Sequence, residues 1–391
     1  MNKIIQTLPP ANAIDLGMGN PDLSLLPVDT LQRASERAFA KGMRPSLQYG
    51  TEQGNGYFRE SLADFLTNSF GNKVHGASLL VSNGASSGLD LLTGLVTRPG
   101  DTVIVEAPTY FLALRIFADH GLRVLSVPMD DEGLNIDALE EILTRENPKL
   151  LYTIPTFQNP SGRTLSLARR EKLVELAEKH NFLIVADEVY HLLSLGETAK
   201  VLKTFEVLPP KPFALFSNDS ENVASINSFS KILAPGLRLG WIQAHANILH
   251  KLIASGLFDS GGGLNPFTSA IVHELIEAGD LRKNIALLKE VYSARLQVMD
   301  VTLKEMLPQA EFTTPQGGFF YWVRIPGVGT GELRKKVKVF KVDFRQGTLF
   351  SADKNMEEYM RLCFAFYGEK EIQEGVRRLT QCLYNVTAKR P

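Results

Sequence analysis

Between Ser78 and His245, short runs rich in β-branched residues alternate with amphipathic stretches. The runs Leu79–Ser82, Thr102–Glu106, Arg123–Val127, Lys149–Ile154, Phe182–Ala186, Val223–Ser228 and Leu239–Ala244 read as strands. Ser87–Val96, Tyr110–His120, Asn135–Arg145 and Leu167–Lys179 carry helical spacing between them. Strands that alternate with helices build βαβ units and a mostly parallel sheet. The strand ends are rich in Gly, Pro and Asn, so functional loops are expected to gather there.

The C-terminal part has a different rhythm. Asp280–Met306 is one long helical pattern, and Phe312–Ile325 reads as strands split by Pro315, Gly317 and Gly318. Val337–Phe344 and Tyr359–Phe366 read as further strands, and Lys370–Tyr384 as a closing helix. The expected architecture is an α/β fold, a parallel sheet flanked by helices, followed by a smaller α+β domain. The expected division is an N-terminal segment 1–48, a large domain 49–278 and a small domain 279–391. Leu192–Asn222, with Pro209, Pro210 and Pro212, reads as an exposed excursion from the large domain.

Of 391 residues, 44% are hydrophobic and 22% charged, the balance of a globular chain with a sizeable core. The net charge of -1 gives no support for a polyanion or an anionic membrane as partner. Basic runs are short and zinc-finger spacing is absent, so no nucleic acid is expected. Cys363 and Cys382 are too few for a disulfide framework and fit a reducing compartment. Met1–Gly17 lacks an apolar core of signal-peptide length, and no run reaches the ~18 apolar residues of a membrane helix. The expectation is a cytoplasmic protein.

Several loops carry chemistry. Ser228-Phe229-Ser230-Lys231, with Pro235-Gly236 and Arg238, follows a strand. Hydroxyls and an arginine fork suit a phosphate. Lys231 is then a third cationic ligand, an amine nucleophile made less basic by its neighbours, or a solvated loop lysine. Asp187, in Ala186-Asp187-Glu188-Val189-Tyr190, ends an apolar strand as an N-cap or as a functional carboxylate. Phe157-Gln158-Asn159-Pro160-Ser161-Gly162 is turn chemistry, or it presents the Asn159 amide to a ligand. Ser82-Asn83-Gly84-Ala85-Ser86-Ser87 leads from strand to helix, where free backbone N–H groups of small residues can hold an anion. It matches neither the dinucleotide fingerprint nor the P-loop. Tyr110, after Pro108-Thr109, stacks on a planar ring or packs in the core. Arg361, among apolar residues on a strand, needs an anionic partner unless its face is wet.

Taken in this order, and with Ile14-Asp15-Leu16-Gly17-Met18-Gly19-Asn20-Pro21 and Tyr49-Gly50, these motifs resemble the fold-type-I pyridoxal-phosphate enzymes of the class I/II aminotransferase branch. The most specific elements are Asn159-Pro160-x-Gly162, Asp187-x-x-Tyr190 and Ser228-x-Ser230-Lys231 with Arg238. The overall pattern is most similar to the 2-aminoadipate and aromatic aminotransferase group. The resemblance implies that Lys231 carries pyridoxal 5'-phosphate as a Schiff base, with Asp187 paired to the pyridine nitrogen. Asn159 and Tyr190 would bond the ring oxygen, and Tyr110 would stack on the ring. Gly84, Ala85, Ser86, Ser228, Ser230 and Arg238 would hold the phosphate. Arg361 would grip the substrate α-carboxylate, with Asn159, Gly17 and Gly19 lining the substrate pocket. Tyr49 would reach the phosphate of a neighbouring subunit, which implies a homodimer with shared active sites. No metal is implied.

The implied reaction moves an amino group from an L-amino acid to a 2-oxo acid, 2-oxoglutarate among the candidates. Lys231, once displaced, would shift the Cα proton as base and then acid. Two alternatives share the scaffold or its likeness: a β-eliminating lyase or decarboxylase, and a non-enzymatic sensor of the kind fused to helix-turn-helix readers, for which this chain offers no reader. A dicarboxylate substrate needs a second cation, for which Arg44, Arg115 and Arg163 are candidates and equally surface residues. Phe111, Phe157 and Phe319 suit an apolar substrate side chain, or the core. Gly261-Gly262-Gly263 is expected to widen or loosen the pocket.

Overall fold

The computed structural model describes residues 12–196 and 209–387. Its strands are β1 (Ile14–Asp15), β2 (Leu79–Ser82), β3 (Thr102–Ala107), β4 (Arg123–Asp130), β5 (Gly133–Leu134), β6 (Leu150–Thr153), β7 (Leu183–Asp187), β8 (Val223–Ser228) and β9 (Gly240–Ala244). They are followed by β10 (Phe320–Arg324), β11 (Val342–Asp343), β12 (Arg345–Gln346) and β13 (Tyr359–Cys363). Eight of them form the main sheet in the order β2-β9-β8-β7-β6-β3-β4-β5. The contiguous strands β4, β3, β6, β7 and β8 are parallel, while β9 runs antiparallel to both β8 and β2.

Alternation along the buried strands supplies both faces of that sheet. Leu183 and Val185 join one apolar cluster, whereas Ile184 and Ala186 join the other. On β6, Leu150 and Tyr152 point to the first face and Leu151 to the second. A two-residue period then places Asp187, the last residue of β7, on the face of Val185 and Tyr152. Ser228 lies on the same face by the same count from Ala224 and Ile226. The helix Ala85–Val96 packs against that face. Gly88 makes this possible, since a Cβ there would stand 3.2 Å from Ile226 Cγ2 and 3.3 Å from Ile242 Cγ1.

The smaller sheet has the order β10-β13-β12, all antiparallel, and is covered by the helices Asp280–Met306 and Glu369–Thr387. The strand β1 joins this part, pairing in parallel with β11, Ile14 opposite Val342, whereas the helix Val28–Lys41 packs on the helix Pro266–Glu277.

Three expectations are corrected. Of Val337–Phe344 only Val342–Asp343, β11, is a strand. Thr330–Val337 is helical, because Leu333 and Val337 sit four residues apart on one buried face, and Lys341 then adopts a left-handed conformation (φ 54°). Within Phe312–Ile325 only β10 is a ladder strand; the earlier half makes single bridges, Glu311 to Arg324 and Gly317 to Ser194. The described ends of Leu192–Asn222 are packed rather than exposed. Leu193, Leu195, Phe213 and Leu215 are buried, and the Glu188 carboxylate accepts from the backbone N–H groups of Phe213 and Ala214 at 2.8 and 3.0 Å. Residues 197–208 of that stretch, and 1–11 of the N-terminal segment, lie outside the described residues.

Candidate active site

The C-terminal ends of β3, β6, β7 and β8 surround a cavity of about 360 Å³. Open α/β sheets place ligands outside these strand ends. Lys231, Asp187, Tyr190, Asn159, Tyr110, Ser228, Ser230, Arg238, Arg361, Ala85, Ser86, Gly17 and Gly19 all line it. Residues up to 344 positions apart in sequence are thereby brought together.

Lys231 is set by the loop after β8. Phe229 and Ile232 are buried on either side of it, Phe229 against Phe58 and Trp241, so Ser230 and Lys231 turn to the cavity. Asn284 Nδ2 donates to the Ile232 carbonyl at 2.8 Å and pins the loop from the helix Asp280–Met306. Lys231 Nζ donates to the Gly19 carbonyl at 2.9 Å. Burial, with Arg361 adding repulsion, lowers its pKa to about 8. A useful fraction of the amine is therefore uncharged near neutral pH. The cavity side of the residue remains open to solvent.

Asp187 is buried, and burial raises its pKa to about 6. The Tyr152 hydroxyl donates to its Oδ2 at 2.8 Å from the neighbouring parallel strand. Its Oδ1 is buried and has no hydrogen-bond partner. A buried carboxylate oxygen without a donor is costly, and a ligand N–H is what the site lacks.

Arg361, on β13, is also buried. Its Nη1 donates to Asn159 Oδ1 at 2.9 Å and its Nη2 to the Gly17 carbonyl at 2.8 Å, while Nε is buried and unpaired. The guanidinium carbon lies 4.0 Å from the Phe320 ring centroid and 5.1 Å from that of Phe350. The fork is thus fixed in plane and short of an anion. Asn159 is held in turn by a buried network that sequence reasoning did not find. Gln158 Nε2 donates to Glu106 Oε2 at 3.1 Å and to the Pro108 carbonyl at 2.6 Å, and Gln158 Oε1 accepts from Ser161 N at 2.8 Å. Glu106 also accepts from Thr153 Oγ1 at 2.5 Å and Ile154 N at 3.1 Å.

The helix Ala85–Val96 begins beside these groups with Gly84 as its N-cap and no side-chain cap, so its first N–H groups are left for an anion. Ser228 Oγ and Ser230 Oγ lie 2.8 Å apart, and Arg238 Nη2 donates to the Asn83 carbonyl at 3.0 Å. Gly84 does not itself line the cavity but is required there: its φ is +91°, and a Cβ would stand 3.0 Å from Arg238 Nη2. Gly84→Ala is expected to cost about 1–3 kcal/mol of stability, measured by denaturant unfolding.

Other expected residues fall outside. Tyr49 is 82% exposed and does not line the cavity of its own chain. Arg44 and Arg115 are exposed, and Arg163 pairs with Asp131; none reaches the cavity. Phe111 lines it, whereas Phe157 and Phe319 are core residues, Phe319 wedged between Tyr190 and Tyr292. Gly262 and Gly263 do not loosen the pocket. A Cβ on them would collide with the backbone of Gly50, Thr51 and Gly54 at 2.1–2.6 Å, so the glycines permit two chain segments to touch. The lining also includes Met18 and Asn20 of the Gly17–Asn20 segment, and Leu112, Phe320 and Arg345, to which the sequence assigns no site role. Among the described residues no cluster of His, Cys, Asp and Glu could hold a metal, and no helix is long and apolar enough to cross a membrane.

A uncapped helix start, two hydroxyls and an arginine suit a phosphate; an orphaned buried carboxylate oxygen suits a protonated ring nitrogen; a weakly basic lysine suits attachment to an aldehyde. These donors fit pyridoxal phosphate. Comparison with known proteins agrees. Residues 11–379 match the family model for aminotransferase class I and II. The aromatic-amino-acid aminotransferase 1 of Thermococcus litoralis is 34% identical over 390 residues, covering 97% of this chain and 89% of that protein. The multiple substrate aminotransferase of Thermococcus profundus superposes with a TM-score of 0.88 at 32% identity, covering 97% of this chain and 93% of the other. The alpha-aminoadipate aminotransferase of Thermus thermophilus, solved with N-(5'-phosphopyridoxyl)-L-leucine, gives 0.86 at 30% identity, covering 97% and 94%. The chain belongs to the class I and II aminotransferases and is a pyridoxal-phosphate-dependent aminotransferase of fold type I.

Proposed function

We propose that this aminotransferase takes its amino group from L-amino acids with large apolar or aromatic side chains and passes it to a 2-oxo acid, 2-oxoglutarate included, with Lys231 as the attachment and proton-transfer residue. The observation that carries the reading is that the Lys231 amine, the orphaned Asp187 oxygen and the Arg361 fork open onto one cavity whose remaining wall includes Met18, Phe111 and Leu112. The names of the aromatic and alpha-aminoadipate relatives support it.

When bound, pyridoxal phosphate supplies an aldehyde that condenses with amines and a ring that accepts the electron pair released at the substrate Cα. The chain does the rest. Ala85 and Ser86 N–H groups, Ser228, Ser230 and Arg238 would hold the phosphate. Asp187 would hold a proton on the ring nitrogen through its Oδ1, while the Tyr152 hydroxyl fixes its Oδ2. Asn159 and Tyr190 would offer hydrogen bonds to the ring oxygen, and Tyr110 an apolar face to the ring. Arg361 holds the substrate α-carboxylate, so that the Cα–H bond rather than the bond to the carboxylate is presented for cleavage. Lys231 Nζ would take the proton from the substrate Cα and hold it for return, acting as base and then as acid. A decarboxylase would need the carboxylate where Arg361 does not hold it.

The 49–278 and 279–391 division, with residues 1–48 joining the small domain through β1, is proposed as the functional one, the cavity lying between them. Tyr49 is proposed to complete the phosphate site of a second copy. Its exposure, and that of Tyr57, Phe39 and Phe267, supports a homodimer through this side. A cytoplasmic location is proposed on cysteine usage.

Absorption spectroscopy of the holoenzyme tests the donor class. Leucine and phenylalanine are each expected to bleach the visible band, and 2-oxoglutarate to restore it. Cysteine or serine, which carry a leaving group on Cβ, are added in parallel: release of pyruvate and ammonia from them, with no bleaching by leucine or phenylalanine, would instead identify the β-eliminating lyase.

A further inference from the structure

Arg345 lines the cavity, and its guanidinium is engaged by the carboxylate of Asp15. Nη1 donates to Asp15 Oδ1 at 3.0 Å and Nη2 to Asp15 Oδ2 at 2.9 Å, a two-pronged pair between residues 330 positions apart. Both partners are largely shielded, with side-chain exposures of 22% and 18%. A pair of this geometry is worth more than an ordinary surface ion pair. It also sits in an alternating array, because Asp343 stands 3.9 Å from Arg345 and is itself held by Arg334.

What the pair holds is the N-terminal strap over the site. Asp15 Oδ1 accepts from the Gly17 N–H at 2.9 Å, which bends the chain back immediately after β1. The root of the strap is anchored from behind, since the Asp15 N–H donates to the Tyr367 hydroxyl at 2.9 Å. Gly17 is packed so tightly on Arg345 that a Cβ would stand 2.8 Å from both its backbone N and its Nη1. From that fixed turn the Gly17 carbonyl accepts from Arg361 Nη2, and two residues on the Gly19 carbonyl accepts from Lys231 Nζ. Arg345 lies directly opposite Arg361 in the antiparallel ladder of β12 and β13. Ladder and strap thus form a closed circuit: Arg345 to Asp15, Asp15 to Gly17, Gly17 to Arg361, and Arg361 back to Arg345 through the sheet.

We propose that Asp15 and Arg345 are positioning residues for the α-carboxylate of every substrate, acting through the Gly17 carbonyl that fixes the Arg361 fork. They touch no reacting atom. A guanidinium held by two fixed acceptors meets a carboxylate with its orientation already set, so less freedom is lost on binding. Without the Asp15–Arg345 pair the Gly17 turn loosens, and Arg361 keeps only Asn159 as a fixed partner. The inference rests on the reading of Arg361 as the carboxylate ligand.

Asp15→Asn, Arg345→Gln and the double variant test it, purified as holoenzymes. The cofactor band should be retained, because phosphate and ring contacts are untouched. KM for leucine, phenylalanine and glutamate should rise by the same factor, about tenfold, with kcat changed far less. The double variant should be no worse than the poorer single one, since both break one circuit. Arg345→Lys, which keeps the charge and loses the fork, should recover only part of the affinity. A rise confined to glutamate in the Arg345 variant, with Asp15→Asn unaffected, would make Arg345 a direct side-chain ligand and overturn the proposal. Additive losses in the double variant would overturn it as well. Arg361→Leu, assayed alongside, separates the premises: unchanged KM there would remove the reading of Arg361 itself.

Discussion

Replacing Lys231 with alanine is expected to lower amino-group transfer by at least about 10⁴-fold. The residue is asked to do two things that no neighbour can take over. Its amine, brought down to about pKa 8 mainly by burial, is nucleophilic near neutral pH and basic enough to remove a proton from Cα. The other cations of the cavity are guanidinium groups, which do not give up a proton at any relevant pH. Alanine leaves the helix start at Ala85, the two serines and Asp187 in place, so cofactor affinity should survive as non-covalent binding. Equilibrium dialysis with pyridoxal phosphate, read beside the turnover assay, separates lost chemistry from a lost fold.

Asp187→Asn should have opposite effects on activity and on stability. Activity should fall about 10³-fold, the scale of removing one preorganised electrostatic partner from developing charge. Stability of the cofactor-free protein should rise near neutral pH. Burial holds the Asp187 pKa at about 6 against an ordinary 3.8, so the folded state keeps a proton that the unfolded state loses. Stability therefore falls as pH rises between about 4 and 6, and the full cost is present above that window. The difference amounts to about 3 kcal/mol. Asparagine removes the charge and still offers an oxygen to the Tyr152 hydroxyl. Denaturant melts of both cofactor-free proteins should coincide at pH 4 and separate by pH 7. With cofactor bound the ranking should reverse, because the wild-type carboxylate then meets a cation.

Much of the site was legible because its groups lie within a few residues of strand ends that the sequence marks clearly. Asp187 ends an unbroken apolar run, and Lys231 follows a strand by three residues. Both runs are buried on two faces, so neither helix nor loop could compete with the strand reading. The small domain was harder to read. Val337-Lys338-Val339-Phe340-Lys341-Val342 alternates like a strand, yet the Leu333–Val337 pair, four residues apart, drew its first turn into a helix. That misreading also hid Arg345, which follows the segment and whose partner Asp15 is at the other end of the chain. Tyr152 was invisible for a different reason. Within an apolar strand it has the pattern of a core residue, and only the parallel register with β7 brings its hydroxyl to Asp187. The glycine run 261–263 suggests looseness in sequence because nothing local reveals the backbone of Gly50–Gly54 lying against Gly262 and Gly263.

Borohydride reduction of the holoenzyme, followed by peptide mass spectrometry, tests the central claim most directly. The pyridoxyl group should be found on the peptide that contains Lys231, and pre-incubation with a donor amino acid should prevent its attachment. A pyridoxyl group fixed on another lysine, or on none, would contradict the assignment of Lys231 and the mechanism built on it.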